Sequence, residues 1–197
     1  MNYLKPLLAL AVAGFALMRM LSGNAIDRPP GVLAPSFPKQ TVIEHGRDIS
    51  VGDFRLEPRA RYAIEARVLS VERYRTDSGA ALSPIDFAVG WGPMSDSDTL
   101  KHFRVTQGAR FFTIYPDEEA IDLTAALRSS ANMHLIPADG AVRETLLNTR
   151  PGNIVTLSGY LVYASRSDGF TWNSSLTRDD TGAGACELMY VESVSRR

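Results

Sequence analysis

In the stretch RYAIEARVLSVERYR, residues 61–75, apolar and charged side chains alternate one by one. Tyr62, Ile64, Ala66 and Val68 fall on one side of an extended chain, and Arg61, Glu65 and Arg67 on the other. A period of two is that of a strand with one buried and one wet face. That stretch alone commits the chain to a sheet.

Further strands are expected on both sides of it. DFAVG, from Asp86, predicts a short strand, and Gly90-Trp91-Gly92-Pro93 a turn with a short helix from Asp96 onward. FRVTQGARFFTIY reads as two strands around Gln107-Gly108, IDLTAALRSS as a weak helix, and SANMHLIPA as extended. Asp139 is the expected cap of a second helix that carries Val142 and Leu146 on one face and stops at Pro151-Gly152. NIVTLSGYLVYASRS and FTWNSSLT flank Asp168-Gly169, a dipeptide suited to a tight hairpin with positive φ at both central residues. CELMYVESV closes the chain as a final strand. Five to seven strands with one or two short helices predict a mainly β domain. The expected architecture is a small curved sheet or an OB-like, partly open barrel, whose helix lies at about 140–148.

The N-terminus has a different character. Lys5 is followed by an apolar run from Pro6 to Met18, then Arg19. Residues 1–25 form a signal anchor or a signal peptide. The preferred reading is an uncleaved helix over residues 3–21, since roughly 19 residues just span the hydrocarbon core. The alternative is an export signal cleaved near Ala25. Either one sends the remainder out of the cytosol. Residues 26–53, with Pro29, Pro30, Pro35 and Pro38, read as a Pro-rich tether, the alternative being that part of it packs on the domain as an edge strand, and 54–197 as a single β-rich domain. Hydrophobic content of 45% against 22% charged residues suits a packed core and not a disordered chain. Beyond residue 25, 22 acidic residues face 19 basic ones, a net charge of −3. Such a domain has no electrostatic reason to seek nucleic acid. A single cysteine excludes an internal disulfide.

The segments DFAVGWGPMSD, SANMHLIPA and SSLTRDDTGAGACELMYV, in that order, resemble a group of uncharacterised bacterial proteins that share an N-terminal hydrophobic segment. The resemblance runs from about Tyr62 to Glu192. It implies a bacterial, single-domain, envelope-facing protein and carries no activity with it; with the N-terminal segment as an anchor, the expected location is the bacterial inner membrane with the domain in the periplasm.

Cys186 is the residue with the most chemistry to offer. In CELMYV it shares a face with Leu188 and Tyr190, so it is read as a small core residue. The competing reading makes it the nucleophile of an envelope hydrolase or transferase, with His134 as its base. His134, set among apolar neighbours, is otherwise a hydrogen-bonded structural histidine. His45 and His102 have ordinary surface explanations, and three histidines with one cysteine make no zinc cluster. Asp96-Ser97-Asp98 is read as a helix cap rather than a metal site, and Asp179-Asp180-Thr181-Gly182 as a turn. No Gly-x-Ser-x-Gly elbow surrounds Ser174 or Ser175. The ligand-binding candidates are Trp91, Trp172, Ser174 and Arg178. The last three lie on or beside a polar strand face, while Trp91, between glycines, either meets a ligand or plugs the end of a barrel. No cofactor and no metal are expected. The expected function is a non-enzymatic binding or scaffold domain whose partner is an envelope protein or a small ligand.

Overall fold

The computed structural model describes residues 25–44, 46–117, 122–177 and 186–197. The N-terminal segment, His45, Arg178 and the turn at Asp179-Asp180 lie outside the described residues. Ten strands carry about half of the described residues: β1 Lys39–Val42, β2 Ile49–Val51, β3 Phe54–Arg73, β4 Ile85–Gly90, β5 Phe103–Gly108, β6 Phe111–Pro116, β7 Ser130–Pro137, β8 Ile154–Arg166, β9 Thr171–Asn173 and β10 Glu187–Arg196. Three short helices, α1 Ser97–Leu100, α2 Leu123–Arg128 and α3 Gly140–Leu147, and a 3-10 turn at Gly92–Ser95 complete it. The chain is mainly β, a large curved sheet with few short helices.

β3 organises that sheet. Its even-numbered residues from Phe54 to Val68 are all buried, so the alternation extends seven residues further toward the N-terminus than the stretch from Arg61. Two irregularities, at Pro58/Ala60 against β8 and at Val68/Ser70 against β4, bend the strand. The bend lets one strand serve two neighbours, β8 along residues 54–67 and β4 along residues 67–73. β4 pairs with β7, β7 runs parallel to β10, and β10 pairs with β8. Following these ladders from β3 leads back to β3. Inside them Tyr62, Phe87, Met133, Leu157 and Met189 form the main core, and Val142 and Leu146 of α3 pack onto it. Asp139 caps α3, its carboxylate accepting from the Val142 amide at 2.8 Å.

A second apolar layer lies outside this core. Leu82, Ile136, Val162 and Leu188 cluster there, with Phe170 and Trp172 against them. β7 is therefore covered on both sides: Ala131, Met133 and Leu135 face inward, whereas Asn132, His134 and Ile136 face the outer layer.

Two expectations need correction here. The stretch 26–53 is no free tether. Ile26 donates to the Pro151 carbonyl, Gly31 to Asp96, and Leu33 and Ala34 to the Ser95 hydroxyl, while β1 and β2 both pair with β3. Its backbone finds partners in distant elements, which Pro-rich composition does not reveal. At the β8–β9 hairpin only Gly169 has positive φ, at 91°, and Asp168 instead accepts from the Phe170 amide.

Candidate functional site

Register places the chemistry. In the antiparallel β4–β7 pair, Asp86 stands directly opposite His134 and Ala88 opposite Asn132, all on the outer face. In the parallel β7–β10 pair, Leu188 stands opposite His134 and Glu187 opposite Met133. Cys186, one residue before β10, thus comes level with Asn132, and its Sγ lies 3.6 Å from Asn132 Nδ2. A short grid of polar groups results on an otherwise apolar face.

Asp86 is its anchor. The side chain is fully buried, with Oδ2 2.8 Å from His134 Nδ1 and Oδ1 accepting from Arg110 Nη1 at 2.8 Å. A carboxylate in that position assigns the imidazole proton to Nδ1 and leaves Nε2 as an acceptor. No hydrogen bond to Nε2 is present among the described residues. The Trp172 ring packs against the imidazole, with centroids 4.6 Å apart.

Arg110 arrives from the two-residue tip of the β5–β6 hairpin, where Ala109 and Arg110 have φ of 50° and 70°. Such backbone is uncommon for residues with a Cβ, and the guanidinium shows what holds it. Beyond Asp86 it donates to the Ser83 carbonyl and, through Nε and Nη2, to both oxygens of Asp77, and it lies 3.6 Å from the Tyr74 ring centroid. The Arg110 amide donates to the Tyr74 hydroxyl, and its carbonyl accepts from Asn132 Nδ2 at 3.0 Å. Burial pushes the Tyr74 hydroxyl up to about 12, so it stays protonated at neutral pH. Burial also opposes charge on Asp77. The hydrogen bonds and charge of Arg110, with the Gly79 and Ala80 amides, outweigh it and hold that carboxyl below the usual carboxylate range. Arg110 is a latch, spent on protein partners.

Around this grid lies an open cavity of about 510 Å³, walled by Arg110, Phe111, His134, Phe170, Trp172 and Cys186. Gly79 forms part of the wall and packs tightly against Trp172: a Cβ there would come within 2.6 Å of the indole. Two carboxylates, Asp77 and Asp86, surround the one guanidinium, so with a neutral imidazole the local charge is −1.

The candidates read from the sequence separate here. Cys186, His134 and Trp172 share the cavity wall. Trp91 is fully buried in the main core and belongs to no ligand surface. Ser174 is buried as well. Its hydroxyl donates to the Ser175 carbonyl and accepts from the Leu188 amide, which fastens the segment after β9 to the start of β10. Strand structure stops at Asn173, so no polar strand face extends to Ser174. Cys186 does share a face with Leu188, but that face is the outer one, and the thiol is partly exposed on the cavity instead of sealed in the core. Asp86, Arg110 and Asn132 were not singled out by their neighbours in the sequence. Among the described residues no group of three His, Cys, Asp or Glu side chains is arranged to hold a metal ion. Compared with protein-family models, curated proteins and solved structures, the chain matches none.

Proposed function

We propose that the chain is a membrane-anchored domain of the bacterial envelope that faces the periplasm and binds a small ligand in the cavity over β7. The ring of ladders β3-β4-β7-β10-β8 supports reading the sheet as an OB-like barrel, with α3 between its third and fourth strands. Such barrels bind ligands with the loops that follow their first and fourth strands. Here those are the loop carrying Asp77 and Gly79 and the stretch carrying Phe170, Trp172 and Cys186, and both line the cavity. That coincidence is the observation that carries the proposal. Aromatic walls and a local charge of −1 favour a neutral or weakly cationic organic ligand over a phosphate backbone. The apolar segment at residues 3–21 supplies the contact with the inner membrane; cleavage near Ala25 would instead release the domain into the periplasm.

Two experiments test this. A reporter fused after Arg197 is expected to be active only outside the cytosol; cytosolic activity overturns the topology. In a thermal-shift screen of neutral and cationic fragments with the full chain, compounds that raise Tm are expected to lose their effect in Trp172→Ala. Hits indifferent to that substitution would move ligand binding away from this cavity.

A second reading, an envelope hydrolase or transferase, gains support from one observation: the thiol of Cys186 and the imidazole of His134 open onto the same space.

A further inference from the structure

We propose that this cavity performs acyl transfer, with Cys186 as nucleophile, His134 as general base and acid, and Asp86 as the positioning residue that orients the imidazole. The proposal rests on the cavity being the ligand site. Two independent features converge there. The Cys186 thiol is partly exposed on the wall. His134, only 3% exposed, lines the same wall with its Nδ1 tied to a fully buried carboxylate and with no hydrogen bond to Nε2 among the described residues.

His134 Nε2 is not among the sealed polar atoms without a partner, so that nitrogen opens onto the cavity, where a substrate or water can meet it. Asp86 satisfies Nδ1 and orients the ring as the third member of a nucleophile–base–acid set does. Cys186 is level with Asn132, two residues along β7 from His134 and on the same face. That step is about 6.6 Å along the strand, and Cys186 lies a further strand spacing of about 4.8 Å away, so the Cys186 and His134 Cα atoms are about 8 Å apart across the diagonal and a substrate carbonyl would sit between the two side chains. Asn132 Nδ2 sits 3.6 Å from Sγ and is oriented by its bonds to the Arg110 carbonyl and from Gln107. It is a donor placed beside the reacting atom, where charge develops on an acyl oxygen.

The steps balance without a redox partner. In the resting protein the thiol donates to the Arg110 carbonyl at 3.9 Å; in the reaction its proton passes to His134 Nε2 through one bridging water, and Sγ adds to the carbonyl carbon of an acyl ester, moving the π pair onto oxygen. That oxyanion collapses, the carbon–oxygen bond to the leaving alcohol breaks, and His134 returns the proton to the departing oxygen. Water or an acceptor hydroxyl, deprotonated by His134, then adds to the thioester carbonyl; the carbon–sulfur bond breaks, the acyl group leaves on the new oxygen, and the proton held by His134 returns to Sγ. Aromatic walls suit an ester whose acyl or leaving group is apolar.

The probe is p-nitrophenyl acetate, added to the full chain and to its Cys186→Ser, His134→Gln and Trp172→Ala variants. The native protein is expected to release a burst of p-nitrophenolate equimolar with itself and to carry one acetyl group on Cys186 by mass spectrometry. His134→Gln should slow acylation by about a hundredfold and abolish the sigmoidal rise of rate with pH that an imidazole base gives. An acylation rate no faster than that of the unfolded chain, or one that His134→Gln leaves unchanged, overturns the proposal. If Trp172-dependent fragment binding persists when acylation fails, only the chemistry is wrong. If both fail, the cavity is not the site.

Discussion

Asp86→Ala is expected to lower the unfolding free energy by about 3–5 kcal/mol, the cost of removing one partner from a buried ion pair. The carboxylate has no solvent exposure and holds two groups at once, the Arg110 guanidinium at 2.8 Å and His134 Nδ1 at 2.8 Å. Deleting it leaves both beside an apolar layer built around Leu82, Ile136 and Leu188, with the lost acceptor's place fully buried. Arg110 keeps Asp77 and the Ser83 carbonyl, so the hairpin tip should loosen rather than detach. Asp86→Asn should cost less, because its amide oxygen can still accept from Arg110 while its N–H₂ donates to a His134 that has moved its proton to Nε2. Urea unfolding checks both variants: the midpoint should fall with little change in slope. A loss under about 1 kcal/mol in Asp86→Ala would show that water already reaches the pair, and the orienting role of Asp86 would lose its basis.

The reason this pair escaped the sequence lies in the strands that hold it. β3 could be read because one of its faces is core and the other is largely wet, so polarity reports direction. β4 and β7 are buried on both faces, every residue from Ile85 to Gly90 and from Ser130 to Ile136. Alternation there separates two buried faces without saying which is the core. Cys186 shows the consequence: its partners Leu188 and Tyr190 were read correctly, but they belong to the outer layer. The Asp86–His134 contact depends further on the β4–β7 register, set across 48 residues by a 3-10 turn, two short helices and a hairpin between them. Arg110 was hidden for another reason. Its turn uses Ala109 and Arg110 in left-handed backbone where Gly or Asn would signal it, and only the tertiary latch makes that conformation hold. The caps at Asp96 and Asp139 could be traced locally because the capping bond each makes, to the Asp98 and Val142 amides, is within three residues.

Trp91→Ala is expected to cost about 3–5 kcal/mol as well, by leaving a large void in a core that cannot close over it. Flanking glycines admit two explanations, approach of a ligand or demands of the backbone, and the structure favours the second. A Cβ on Gly90 would collide with the Met94 carbonyl as the 3-10 turn folds back, and Gly92 has φ of 50°. The indole itself is fully buried with Tyr62, Phe87 and Met133 in the main core. Its neighbourhood is also tied to the stretch before β1, since Gly92 donates to the Ala34 carbonyl, so the void should weaken the hold on that stretch too. Trp91→Phe, which keeps most of the ring volume, should lose about half as much or less. Fluorescence separates the two tryptophans. In Trp172→Phe the remaining emission, from Trp91, is expected to be blue-shifted and to resist acrylamide, whereas Trp91→Phe should leave a quenchable signal from the cavity wall. Rapid quenching of Trp91 in the folded protein would place it at a surface after all and return it to the ligand-binding residues.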